Sequence, residues 1–90
     1  MLSTYISKVL LQILTEHDDC YTNGGPDPSA KCIFPFLFDG KVNVQCTYDG
    51  DVENKTVPWC STKVDQHGFH IGNQGNWGYC GENCPLPGKY

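Results

Sequence analysis

Apolar positions along this chain come in short patches set between long polar stretches. In residues 1–14, MLSTYISKVLLQIL, Leu2, Ile6, Val9, Leu10 and Ile13 fall on one face of a helix, with Tyr5 and Leu14 beside it. Lys8 interrupts the apolar run and no small-residue cleavage site follows, so a secretion signal fits poorly. An amphipathic helix, a degenerate signal and sequence carried over from a truncated gene remain as readings of this segment. Residues 16–32 turn acidic and then rich in Gly, Pro, Asn and Ser, which predicts an irregular lead-in. Phe36-Leu37-Phe38 and Lys41-Val42-Asn43-Val44 flank Asp39-Gly40, and an Asp-Gly pair between two apolar runs predicts a hairpin with Leu37 opposite Val42 and Phe36 opposite Asn43. The polar stretch after Cys46 reads as a loop running up to Trp59-Cys60. Residues 61–80 carry glycines at 68, 72, 75 and 78 without helical periodicity, which predicts loops and one short strand near Trp77 to Cys80.

Such patches cannot build a large core. A domain of 90 residues buries only about 60 to 65% of its unfolded surface, so other restraints must help. The six cysteines, Cys20, Cys32, Cys46, Cys60, Cys80 and Cys84, suit three disulfides, each typically worth about 2 to 4 kcal/mol. Zinc is the poorer reading, because only Cys80 and Cys84 are closely spaced and His67 and His70 lack a matching cysteine pair. Disulfides persist in oxidising compartments, which points to a secreted or extracellular protein. The Asn54-Lys55-Thr56 sequon agrees with that and marks Asn54 as a glycosylation candidate.

The net charge of −4, with no arginine, makes nucleic acid or an anionic membrane surface a poor partner. No stretch is long enough to span a bilayer. Asp49, Asp51 and Glu53 begin like a calcium loop, but Asn54 and Cys60 stand where that loop needs Gly and Glu, so a solvated acidic turn is the better account. His17, Asp18 and Asp19 have no nucleophile beside them, and no metal, cofactor or catalytic residue is expected.

Cys32-Ile33-Phe34-Pro35-Phe36, Phe38, Cys46-Thr47, Gly50, Trp59-Cys60-Ser61-Thr62, Asp65 and Trp77-Gly78-Tyr79-Cys80 together resemble a fibronectin type II module over residues 32–80. The resemblance implies a kringle-like, small disulfide-rich β fold of two short perpendicular antiparallel sheets with long loops. It implies Cys32 to Cys60 and Cys46 to Cys80 as pairs, which leaves Cys20 and Cys84 for each other. It also implies a binding role without chemistry, with collagen or gelatin, or a phosphocholine headgroup, held on exposed rings. Aromatic rings offer large apolar contact and attract a quaternary ammonium through their faces. The positions that would line such a patch are Phe38, Trp59, Trp77, Tyr79 and Tyr48, while Phe34 and Phe36 are expected in the core. Trp59 and Trp77 sit beside cysteines, and rings packed on disulfides are common in small secreted domains, so core packing is the stronger reading of each and ligand contact the weaker.

The chain departs from that family in four places. Twelve residues separate Cys46 from Trp59, so the loop carrying Asn54 is enlarged. Gln66 replaces the aromatic usually found next to Asp65, with Phe69 on the lengthened loop as its candidate replacement. Asp51 stands for a frequent arginine and Gln74 for an acid, and these two changes remove groups that hydrogen-bond peptide in collagen-binding members. Residues 59–85 resemble a variant of the module found in arthropod secreted serine proteases and their inactive relatives, where it precedes the protease domain. That likeness makes an accessory domain of such a protease the alternative function. The expected organisation is a lead-in over 1–19, the module over 20–84 and a linker or tail over 85–90.

Overall fold

The structure, a computed structural model, describes residues 20–50 and 56–87. Strands β1 (Phe36–Phe38) and β2 (Lys41–Asn43) form one antiparallel sheet, and β3 (Trp59–Ser61) and β4 (Trp77–Tyr79) form the other. No helix occurs among the described residues, and the helix or signal expected over 1–14 lies outside them, as do Asp51 and Asn54.

The hairpin forms in the expected register, with Phe36 opposite Asn43, Leu37 opposite Val42 and Phe38 opposite Lys41. Asp39 and Gly40 both take positive φ, 51° and 75°, which is what a two-residue loop matching the strand twist demands. The second sheet pairs Trp59 with Tyr79, Cys60 with Gly78 and Ser61 with Trp77. β3 has no alternation to reveal it, because all three of its residues are buried. A fragment of the long loop adds to the hairpin, as Leu37 N donates to Gly68 O and His70 N donates to Leu37 O.

Phe36 is fully buried and Trp59 is 3% exposed, their rings 5.4 Å apart, and Phe34 packs against them. The remainder of the core is sulfur. The three disulfides are Cys20–Cys84, Cys32–Cys60 and Cys46–Cys80, and the sulfurs of Cys20, Cys32, Cys80 and Cys84 lie within 4.8 Å of one another. Every cysteine is thus bonded, so this cluster offers no thiolate to a metal.

The lead-in is more ordered than its composition suggests. Thr22 is buried, donates through Oγ1 to Asp27 O at 2.6 Å and accepts from Ala30 N at 2.8 Å. This curls residues 20–31 onto β4, where Asn23 N donates to Tyr79 O and Gly81 N to Tyr21 O.

Candidate functional site

The two sheets bring their aromatic residues to one side of the molecule. Phe38 closes β1, and its ring meets Trp59 edge-on at 5.1 Å. Trp59 is the hub, its ring centroid also lying 5.2 Å from His70 and 6.0 Å from Trp77. Trp77 and Tyr79 alternate with buried Gly78 along β4, share a face, and meet edge-on at 5.1 Å. Edge-to-face pairs at such distances suit the quadrupoles of the rings and hold them rigidly.

These rings border a cavity of about 230 Å³, floored by Trp59 and walled by Phe38, Trp77 and His70, with Asp49, Gly50, Gly72 and Asn73 at its margin. Gly50 shapes that margin. Its φ is +98°, and a Cβ there would lie 3.2 Å from the Phe38 ring. The Trp59 indole N–H donates to Asp49 O at 2.6 Å, which fixes the floor and uses up its only donor.

His70 is the polar member of the wall. Its Nδ1 lies 2.7 Å from Ser61 Oγ, and burial holds its pKa below the usual imidazole value. The loop that presents it is tied by Asp65, whose carboxylate accepts from the backbone N–H groups of His67 at 2.8 Å and Phe69 at 3.0 Å. The Phe69 amide is the chief cause of a lowered Asp65 pKa, opposed by desolvation and aided by the His67 amide and ring and the Gly68 amide.

Phe38, Trp59 and Trp77 therefore come together, with Trp59 as floor more than surface. Tyr79 packs edge-on against Trp77 and is not among the residues that line the cavity. Tyr48 is 44% exposed and borders a different depression of about 340 Å³ with Val42, Val44 and Pro87. Phe69 is half exposed, outside the cavity lining. His70 was not among the residues expected at the site. The short Gly68-Phe69-His70-Ile71 run, an apolar interruption in a glycine-rich stretch, is the signal that marks it.

The sequence matches the fibronectin type II domain over residues 32–80. It is 34% identical over 65 residues to the cation-independent mannose-6-phosphate receptor of Homo sapiens, an alignment covering 67% of this chain and 2% of the receptor. It is 43% identical over 44 residues to matrix metalloproteinase-9 of Canis lupus familiaris, covering 49% of this chain and 6% of that protein. It is 37% identical over 49 residues to the 72 kDa type IV collagenase of Gallus gallus, covering 54% and 7%. The chain thus spans 7% or less of the length of these relatives. No solved structure matches it significantly.

Proposed function

Because this chain belongs to the fibronectin type II family, we propose that it is an extracellular, non-catalytic module that holds a ligand in the pocket of Phe38, Trp59 and Trp77. A collagen- or gelatin-like peptide is the leading ligand and a choline headgroup the competing one. The observation that carries this reading is the rigid ring cavity itself, set in a domain whose net charge and small core give no other reason to leave Trp77 and Phe38 partly exposed. Two of the similar proteins are a matrix metalloproteinase and a type IV collagenase, which supports a peptide of the extracellular matrix as the ligand.

The test is retention of the oxidised domain on immobilised heat-denatured collagen and on phosphocholine. Trp77→Ala should abolish retention with little loss of fold, since Trp77 is the partly exposed wall. Trp59 is unsuitable for this purpose, because its ring joins the core. Retention of Trp77→Ala equal to that of the unaltered domain would sink the pocket assignment.

A second reading makes the module an accessory part of a longer secreted serine protease. Its support is the Cys20–Cys84 bridge, which lies outside the matched residues 32–80 and clasps the module at both flanks. The parent transcript decides it: an in-frame catalytic domain supports the reading and a stop codon directly after Tyr90 removes it.

A further inference from the structure

His70 offers the pocket something its rings do not. Ser61 Oγ lies 2.9 Å from Lys63 O, and two oxygens that close need a proton between them. The hydroxyl has only one proton, so Ser61 donates to Lys63 O and must accept at its contact with His70. Nδ1 of His70 therefore carries the hydrogen, and the neutral ring is left with an unprotonated Nε2. Among the described residues Nε2 has no hydrogen-bond partner, and it is not sealed from solvent. It belongs to a ring that walls the cavity. The one indole donor on the floor is already used, which leaves this lone pair as a fixed acceptor among apolar faces.

We infer that His70 is the specificity-determining acceptor of this pocket, selecting a ligand that brings an N–H on an apolar body, as a peptide segment does, over a quaternary ammonium. This rests on the pocket being the binding site. A peptide amide donates to Nε2 while its neighbouring apolar atoms lie on Trp77 and Phe38. Asn73, whose side chain carries an amide donor suited to a peptide carbonyl, also lines the cavity. A quaternary ammonium has no N–H and leaves Nε2 desolvated and unpaired, which is costly.

The acceptor exists only while the ring is neutral. Acidification adds a proton to Nε2, and peptide binding is lost as pH falls through the His70 pKa. Among the described residues the charged groups around it are few. Asp49 at the cavity margin has its carboxylate 3.3 Å from Lys41 Nζ, which offsets its pull on a protonated ring. Asp65 and His67 precede His70 in the loop, Asp65 bonded to loop amides, and Lys63 approaches through its backbone carbonyl.

The probes are heat-denatured type I collagen and phosphocholine, measured with the oxidised domain and with His70→Phe, which keeps an aromatic ring but has no acceptor. Gelatin affinity should fall about tenfold in His70→Phe, the scale of one hydrogen bond. It should also fall as the pH drops below about 6.5 in the unaltered domain and stay flat in the variant. Phosphocholine binding should be weak and unchanged by the substitution. Equal gelatin binding by His70→Phe, with Trp77→Ala inactive, overturns the role of His70 alone. No binding of either probe to the unaltered domain overturns the pocket reading and this inference with it. Nitrogen-15 NMR of the unaltered domain decides the matter even if His70→Phe fails to fold. Nε2 should be unprotonated near pH 7.5 and shift on adding gelatin, and a protonated or unmoved Nε2 refutes the inference.

Discussion

At the scale of single residues, two positions show how much chemistry a motif letter conceals. Gly78 was readable from sequence only as part of Trp-Gly-Tyr-Cys. In the structure a Cβ on it would meet Thr22 Cγ2 at 2.6 Å and Gly24 O at 2.8 Å, because the lead-in crosses β4 there. Gly78→Ala should therefore destabilise the domain by about 1 to 3 kcal/mol, the cost of overpacking, visible as a drop of several degrees in Tm. A melting curve identical to that of the unaltered domain would show that the lead-in yields freely. His70 has its consequence in pH. Burial depresses its pKa below 6.5, so the unfolded chain takes up a proton first as pH falls. The stabilisation from the neutral ring is complete above about pH 6.5 and is lost as pH falls through the folded-state value. His70→Phe should flatten the Tm profile on the acid side of neutrality, and an unaltered slope there would assign it to other groups. The apolar interruption at Gly68 to Ile71 marks this residue in the sequence but not its role, since its place depends on the Leu37 carbonyl, 33 positions earlier.

At the scale of elements, legibility followed the range of the interaction. The β1–β2 hairpin was readable because the Asp39-Gly40 loop and its flanking residues decide it locally, down to the register. β3 and its pairing with β4 were not. Trp59-Cys60-Ser61 is buried on every residue and finds its partner across a long loop, so neither alternation nor a turn residue announces it. Phe38, Trp59 and Trp77 were legible as site candidates from their motifs, while Tyr79 and Tyr48, equally aromatic, were separated from the cavity by strand direction and loop course. Two glycines test how the hairpin serves the pocket. Gly40 has open space around it, so Gly40→Ala carries only the strain of a left-handed residue, about 1 kcal/mol. Gly50→Ala carries similar strain and also crowds the Phe38 ring against Trp59. Gelatin binding should accordingly drop in Gly50→Ala and hold in Gly40→Ala at matched stability, as titration of both variants would show. Equal losses would mean that Gly50 acts through stability alone.

At the scale of the whole molecule, the bridges substitute for a core that four three-residue strands cannot supply. Loop closure alone assigns the largest effect to Cys20–Cys84, about 4.3 kcal/mol for its 64-residue span, against about 3.6 for the 28 residues of Cys32–Cys60. Packing reverses that order. Cys32 and Cys60 are 4% and 0% exposed, and Cys60 lies inside β3 between Trp59 and Ser61, so removing that bridge also opens a void beside Phe36 and Trp59. Cys20 is fully buried but Cys84 only partly, and what their bridge holds is the curl of residues 20–31 against β4. The double variant Cys32→Ala/Cys60→Ala should therefore fail to fold. Cys20→Ala/Cys84→Ala should fold over residues 32–80 with a lower Tm. It should lose amide-exchange protection at Thr22 and Ala30 while keeping it at Leu37 and Trp59. Because Phe38, Trp59, His70 and Trp77 all lie within residues 32–80, this second variant should also keep its gelatin affinity within about threefold, a difference below 1 kcal/mol. Complete unfolding of Cys20→Ala/Cys84→Ala would place the flanking clasp within the minimal folding unit and set the boundaries of the domain at residues 20 and 84.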